Sequence, residues 1–301
     1  MLSFFKFQQD KSWQEVDSSV YAEAYNLYGG SFLMHPQVVM VMSRMASIKT
    51  RYLASYQDGE LVGALPVWGK YLAGDKRYLK KIHKRRIFDT GNAEVILPLS
   101  QAHTFSLAGL RGQLLSELHK EQLADIMCQS ETISLARSFA KAGFSRKFRY
   151  NRRRELKLFQ QDGGEVIPLE QLSPAEIAAI YTQLFYLRWE KNPKGYERLE
   201  EFLSDIFPFV KGHLLRKDTY PVAIQLIYLV KNRTVVSAEY INGGVDPQFR
   251  QYSPGSILSF LNIQNAEEIA AQEGLPLRFS FGLTDKAYKN IWCEPHPVYR
   301  I

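Results

Sequence analysis

Apolar positions near the start of the chain recur at helical intervals. Val20, Tyr21, Ala24, Tyr25, Leu27 and Tyr28 keep that spacing, and Gly29-Gly30 stops the helix. After Met34-His35-Pro36 a second helical stretch runs from Val38 to Met45. The period then changes. Arg51–Tyr56 and Leu61–Val67 read as strands joined by an Asp58-Gly59 turn. The plan returns in the second half. Helices over Pro174–Trp189 and Tyr196–Phe209 precede strands Pro221–Val230 and Thr234–Asn242, turned at Lys231-Asn232-Arg233.

Helix, helix, hairpin, met twice about 170 residues apart, predicts an internally duplicated α/β (α+β) chain of two tandem domains. The boundary is expected near residue 142, giving domains 1–142 and 143–301. A basic helix over 151–161, stopped by Gly163-Gly164, bridges them.

At 301 residues and 46% apolar, the chain can bury a large core, and its composition excludes wholesale disorder, collagen and a coiled-coil rod. Cys128 and Cys293 stand far apart with no CxxC, so neither a disulfide framework nor a zinc cage is expected, and no metal. The longest apolar run, Pro221–Val230, contains Gln225 and reaches about half of the ~20 residues that cross a bilayer. The start, MLSFFKFQQDKSW, lacks the apolar core and cleavage site of a signal peptide. A cytoplasmic protein is expected, with the inner-membrane surface as a peripheral location.

The charge is unevenly placed. The windows Lys70–Arg86 and Lys141–Lys157 carry +7 each, whereas the whole chain carries +7, so the remainder is net acidic. Concentrated charge of this kind suits phosphates or an anionic surface, and two solvated loops are the bland alternative. Lys76–Arg86 and Arg146–Arg154, which includes Arg152, Arg153 and Arg154, are expected to meet phosphate on tRNA, a lipid head group or lipopolysaccharide.

Candidate chemistry gathers near the end of the chain. Arg250-Gln-Tyr-Ser-Pro-Gly-Ser256 follows a strand and opens a helix, with Ser253 as N-cap, Pro254 at the first helical position, and Gly255 leaving the backbone open. A helix start of this kind can receive an anion or an oxyanion. Arg250, Ser253, Gly255 and Ser256 are therefore candidate donor-binding residues. Leu277–Gly282 then reads as a strand, followed by Tyr288-Lys289, an aromatic–lysine pair placed to fold back toward that helix start. Lys289 is read as lying near a surface turn and free to stabilise an oxyanion. Glu239 and Tyr240 end the strand before the Ser-Pro-Gly-Ser loop, where a general base and a positioning hydroxyl could sit. Neighbours on a strand face opposite sides, so only one of the two can enter a site. There is no GxxxxGK[ST], HExxH or GxSxG, and His35 reads as packed rather than as a base.

Several segments together resemble a known family. They are Tyr28-Gly-Gly-Ser31 with Met34-His35-Pro36, Arg152-Arg-Arg-Glu155 running to Gly163-Gly164, Ser253–Leu258 with Leu261-Asn262-Ile263, and Phe279–Gly282 with Tyr288-Lys289 and Trp292. In this order they look like the macrophage-inducible Mig family, number fourteen, Gram-negative proteins linked to virulence and to resistance against cationic antimicrobial peptides. That family is in turn similar to the FemAB-like branch of the GNAT acyltransferases.

The resemblance implies two tandem GNAT-like domains, each a mixed, largely antiparallel sheet flanked by helices, with the donor site in the second. It implies acyl or aminoacyl transfer onto an envelope glycan or lipopolysaccharide precursor. Tyr288 and Lys289 would serve at the transferred carbonyl with Gly255 and Ser256, and Tyr28 and His35 join the arginines as acceptor- or phosphate-binding candidates. The [RQ]xxGx[GA] pyrophosphate loop of acetyl-CoA enzymes is absent, so both acyl-CoA and aminoacyl-tRNA stay open as donor. The alternatives are a nucleic-acid-binding transcriptional regulator and a non-catalytic GNAT scaffold. No specific DNA partner is expected, because no helix-turn-helix, zinc finger or basic zipper is present.

Overall fold

The computed structural model describes residues 13–140 and 143–301. The amino-terminal segment before Trp13 and the boundary expected near residue 142 lie outside the described residues. Contacts divide the chain into two units. The first holds residues up to Lys84, Glu94–Thr132 and Pro297–Ile301; the second holds Arg85–Ala93 and Ile133–His296.

In the first unit, strands β1 (Trp13–Val16), β2 (Arg51–Gln57), β3 (Glu60–Trp68) and β4 (Tyr71–Leu72) form an antiparallel sheet in that order. Asp58 and Gly59 turn β2 into β3 with φ of 51° and 84°, the pair of positive values that a two-residue hairpin of the right twist requires. Helix α1 (Ser18–Tyr28) packs on β3. Helix α2 (Pro36–Ala46) starts on a His35 cap with Pro36 at its first position, where the missing N–H costs nothing. Helix α3 (Lys76–Lys81) and the short strand β5 (Leu115–Ser116) also lie here.

The second unit carries the longer sheet, read from the strand that enters it, in the order β6 (Met127–Ala136), β11 (Leu277–Leu283), β10 (Val236–Val245), β9 (Tyr220–Lys231), β8 (Val210–Lys217), β7 (Gly164–Pro168). All neighbours are antiparallel except β10 and β11. The helix between those two, α7 (Pro254–Glu273), covers one face, with Phe260, Ile263 and Ala266 against Val236, Ala238, Phe279 and Phe281. Helix α5 (Pro174–Trp189), begun by a Ser173/Glu176 capping box, packs on β9 and β10 and against α6 (Leu199–Asp205). The basic helix α4 (Arg146–Gln161) begins earlier than its sequence suggests, on a Ser145 cap, and lies wholly in the second unit. The last elements are α8 (Lys289–Trp292) and β12 (Cys293–Arg300), whose Val298 and Tyr299 pair with β5 within the first unit.

One feature of the second sheet positions everything that follows. Parallel pairing of β10 with β11 runs from Val236/Leu277 to Glu239/Ser280 and stops. Ile241 is an extra residue in β10, since Tyr240 pairs with Ile227 and Asn242 with the next residue, Leu226. A bulge of this kind bends the strand and raises its twist, so the two carboxyl ends part. The segment Arg85–Ala93 spans the open end: a Cβ on Gly91 would stand 3.5 Å from Ile241, and one on Gly282 would stand 3.2 Å from Asn92.

Past the bulge, β10 meets α5 backbone to backbone. A Cβ on Gly244 would lie 2.5 Å from the Leu184 carbonyl carbon and the Phe185 nitrogen, neither of which can swing aside. Gly244→Ala is therefore expected to cost roughly 1–3 kcal/mol through overpacking. Urea denaturation of the variant beside the parent reads this; a midpoint unchanged from the parent would show that α5 does not bear on this strand.

Candidate functional site

The parted ends of β10 and β11 gather polar groups on apolar walls. Tyr240, 9% exposed, lies beside Phe281 with ring centroids 5.0 Å apart. Arg188, on the last turn of α5, and the Tyr288 hydroxyl neighbour its oxygen, and both hold its pKa down against burial. Burial raises the Tyr240 pKa and the Arg188 cation opposes the rise. Burial also raises Tyr288, with Tyr240 adding to the effect. Both phenols stay protonated at neutral pH.

Arg188 is fixed as well as charged. It donates to the Gly243 carbonyl at 3.2 Å and lies over the Trp189 ring at 4.6 Å. One helical stretch earlier on the same face, Tyr181 is 2% exposed, and its hydroxyl has no partner among the described residues. Burial pushes its pKa up strongly, with Asp89, Tyr228 and Tyr240 adding to the rise. Asp89 comes from the spanning segment, where it accepts the Gly91 N–H at 3.0 Å and faces Lys194 at 3.8 Å.

The exposures expected for Tyr288 and Lys289 are reversed. Tyr288 is 38% exposed and Lys289 only 6%. The Lys289 ammonium donates to the Leu283 carbonyl at 2.5 Å and to Asp285 Oδ1 at 2.8 Å. The reading of this lysine as a surface residue is corrected: its ammonium is held between the Leu283 carbonyl, which also accepts the Asp285 N–H at 2.9 Å, and the Asp285 carboxylate, and these two acceptors draw it inward. Beside it, burial pushes the Cys293 thiol up to about 12 against the pull of Lys289 and Arg137, so it is no ready nucleophile.

Alternation separates Glu239 from Tyr240. Tyr240 joins the core under α7, whereas Glu239, 2% exposed, stands level with Tyr228 on β9 and Ser280 on β11. At the start of α7, Ser253 is the cap residue, but with φ 53° its side chain caps nothing; a 3-10 turn over Pro247–Tyr252 delivers the chain in a left-handed step instead. Its carbonyl accepts from Ser256 N–H at 2.8 Å and Ile257 N–H at 3.2 Å, so the Ser256 amide expected for an oxyanion is already used. Gly255 keeps open space around it. The exposed Arg250 turns back on the Pro247 carbonyl at 3.3 Å. This helix start and Tyr288-Lys289 both follow the carboxyl ends of parallel neighbours, the end of an α/β sheet where ligands bind. No hydrogen bond joins them among the described residues. A buried chain, His213 to Asn262 at 2.6 Å, Asn262 to Gln225 at 2.8 Å and Gln225 to Ser259 at 3.0 Å, anchors the first turns of α7 on β8 and β9.

The remaining candidates divide. Arg152 pairs with Glu155 at 2.7 Å and lies 5.0 Å over the Phe148 ring, with a side chain only 16% exposed. Arg153 and Arg154 are exposed. In the first unit, Tyr28 donates to the Leu61 carbonyl at 2.5 Å, and His35 accepts the Gln37 N–H at 3.2 Å as the cap of α2. Arg188, Tyr181 and Asp89 were not singled out from the sequence. Arg188 and Tyr181 share one face at seven-residue spacing, but nothing in the string places that face at a strand 50 residues away. Among the described residues no group of three or more metal-ligating side chains occurs, and no helix is long and apolar enough to cross a membrane.

The family model Mig-14 matches residues 35–301. Nothing matches among curated proteins. Among solved structures, FemX superposes with a TM-score of 0.57 at 11% identity, over 96% of each chain. The C-terminal DUF2156 domain of a protein assigned as a lysylphosphatidylglycerol synthetase in Agrobacterium fabrum gives 0.51 at 11% identity, over 94% of this chain and 92% of that one. A conserved protein of unknown function from Bacteroides thetaiotaomicron gives 0.51 at 11%, over 96% and 98%. The fold is thus like that of FemX, mixed α/β with helix-flanked sheets.

Two expectations follow. Lys289→Ala should destabilise by about 1–3 kcal/mol, since it removes a buried ammonium that bridges the Leu283 carbonyl and Asp285; a melting temperature equal to the parent's would show that this ammonium holds nothing together. His35, lowered by burial from 6.5 to about 4, stays neutral in the fold while the unfolded chain protonates. The unfolded state then binds more protons between those values, so stability falls as pH drops from about 6.5 to about 4, by on the order of 2 kcal/mol after allowance for partial exposure. His35→Asn keeps a capping acceptor and should lose this part of the pH dependence in denaturant titrations at both ends of the window.

Proposed function

The chain belongs to the Mig-14 family, and from that premise we propose that it is an acyl or aminoacyl transferase of the GNAT, FemAB-like kind. Its acceptor is an envelope glycan or lipopolysaccharide precursor. The observation that supports this most directly is the parted β10–β11 pair with the buried, protonated Tyr240 inside it, beside Arg188 and Tyr288.

In this reading the acceptor's amine or hydroxyl attacks the activated acyl carbonyl. The new C–N or C–O bond forms as the carbonyl π electrons move onto oxygen, and the acceptor loses its proton. Collapse of the tetrahedral intermediate expels the donor's thiolate or ribose oxygen, which takes up a proton. Tyr240 O–H stabilises the developing negative charge or protonates the leaving group, and Arg188 steadies Tyr240 as charge grows on it. Lys289 acts at a distance from the carbonyl, by shaping the end of β11. Acyl-CoA and aminoacyl-tRNA both suit such a step as donor.

The fold relative assigned as a lysylphosphatidylglycerol synthetase has a name that denotes a lysyl ester of an anionic lipid. An amine-bearing group placed on an anionic envelope component would lower the attraction of cationic peptides, which links the reaction to peptide resistance. The inner-membrane surface is the natural place to meet such a precursor.

Tyr240→Phe tests the assignment. One hydroxyl is removed, so melting should shift by no more than about 1.5 kcal/mol, whereas loss of a transition-state donor should slow transfer about 100-fold or more. Mass spectrometry of envelope glycans and lipids from parent, deletion and Tyr240→Phe strains is expected to show an acyl or aminoacyl substituent in the parent alone. Identical profiles in parent and deletion strains would remove the envelope reaction; a Tyr240→Phe strain matching the parent would remove Tyr240 from it.

A further inference from the structure

Helices α4 and α7 leave a cleft of about 260 Å³ between them. Its floor is apolar: Phe139 and Phe260 meet edge to face with ring centroids 5.2 Å apart, and Ala271 extends the same surface. Its two walls carry opposite charge. Arg149 and Arg153, one turn apart on α4, form one, and Gln264, Glu267 and Glu268 on α7 form the other. Each wall has a member that fixes it. Arg149 donates to the Phe144 and Phe139 carbonyls at 3.1 Å each, and Glu267 Oε1 accepts the Phe139 N–H at 2.9 Å, so the backbone at Phe139 ties both helices at a set spacing. Arg152 is likewise spent, on Glu155, whereas Arg146, Arg153 and Arg154 stay exposed with no ion pair among the described residues. On the facing wall Gln264 and Glu268 also have no partner among the described residues. Arg153 and Glu268 therefore line one cleft with opposite charges that do not pair with each other. At about 1.5 Å per residue, Glu267 lies about 18 Å along α7 from Gly255, and the cleft shares no residue with the β10–β11 opening.

We infer that this cleft binds a free α-amino acid with an apolar side chain: carboxylate on Arg153, ammonium on Glu268 and the Gln264 carboxamide, side chain on Phe139 and Phe260. Volume sets the size. Sites for drug-sized molecules run roughly 300–1,000 Å³, and this cleft falls just below them. Charge sets the class. A simple anion such as phosphate would meet Glu267 and Glu268 as well as the arginines, and a simple cation would meet Arg149 and Arg153. Like charges brought together in this way oppose binding of either. A ligand that carries both signs on one small frame meets each wall favourably, and a guanidinium takes a carboxylate in two parallel hydrogen bonds. The aromatic floor then selects among zwitterions, because only an apolar side chain gains from covering it. The inference stands apart from the transferase reading, since the amino acid is bound unactivated and far from the parted strands.

The test is isothermal titration calorimetry of the full chain with L-phenylalanine, which is expected to bind saturably at one site. Phenethylamine lacks the carboxylate, 3-phenylpropionate lacks the ammonium, and L-serine lacks the apolar side chain. Each should bind about tenfold more weakly or worse, the loss expected for one charge-assisted contact or one buried side chain. Arg153→Gln should weaken phenylalanine about tenfold and leave phenethylamine unchanged, whereas Glu268→Gln should weaken phenylalanine equally and leave 3-phenylpropionate unchanged. A general loss of structure cannot produce that crossed pattern. Both positions are exposed, so both variants should melt with the parent. Ala271→Trp, at another exposed position, fills the cleft and should abolish binding. Absence of saturable heat with L-phenylalanine at millimolar concentration overturns the inference. So does a loss in Arg153→Gln that falls equally on phenylalanine and phenethylamine. Binding that survives Ala271→Trp but is lost in Tyr240→Phe overturns it too, by placing the amino acid at the β10–β11 opening. Binding needs no turnover, so failure here beside an intact, Tyr240-dependent envelope change would leave the transferase reading standing.

Discussion

The end of hydrogen bonding between β10 and β11 at Glu239 and Ser280 sets the rest of the second unit. A sheet that stops pairing leaves backbone groups without ladder partners, and buried ones must find others. Side chains take up that duty here. Arg188 serves the Gly243 carbonyl, and Ser280 Oγ accepts the Gly282 N–H at 3.0 Å. Arg188 and Ser280 are thereby accounted for by backbone groups at the opening before any ligand is considered. The same requirement explains why α5 lies directly on Gly244, since Arg188 reaches Gly243 only from a helix seated that close.

Groups recruited for backbone duty also give the opening its chemical character. Arg188 is held by a carbonyl and an indole, so its orientation is settled before anything binds, which is the condition for strong electrostatic stabilisation in a site closed to water. Tyr240 sits within reach of that cation because the bulge at Ile241 re-aims the strand at this point. Structure and chemistry cannot be separated here by single substitutions that remove whole side chains. A hydroxyl deletion separates them, because it spares the ring that packs on Phe281.

Much of the framework is written in short-range patterns. The Asp58-Gly59 hairpin, the Ser173/Pro174 start of α5 and the Pro254 start of α7 depend on neighbouring residues, and periodicity finds them. The helix expected to run to Phe209 ends at Asp205, because Phe207-Pro208-Phe209 continues the apolar spacing but forms a 3-10 turn, and strand β8 follows it unannounced by any local pattern. Strand β12 carries Pro295 and Pro297, which argue against a strand in any local reading, and its pairing with β5 is a long-range fact. The burial of Lys289 has the same origin: residue type predicts an exposed amine, and the Leu283 carbonyl and Asp285 carboxylate together override it. On α4 the finer division was present in the string, since 3.6-residue spacing separates Arg149 and Arg152 from the outer cations. Counting charge by window conceals it.

The opening also limits the kind of catalysis it can support. Tyr181, Tyr240 and Tyr288 are all raised above the ordinary phenol range by burial, and the Cys293 thiol is pushed up to about 12. Groups in that condition hold their protons at neutral pH and donate hydrogen bonds; they do not take protons up or attack carbon. Arg188 adds a fixed positive charge to the same surroundings. Such a collection favours negative charge appearing on a substrate oxygen and offers no activated nucleophile of its own. The physical setting therefore suits direct transfer between two bound partners, with the acceptor supplying its own lone pair, better than passage through a covalent acyl-enzyme.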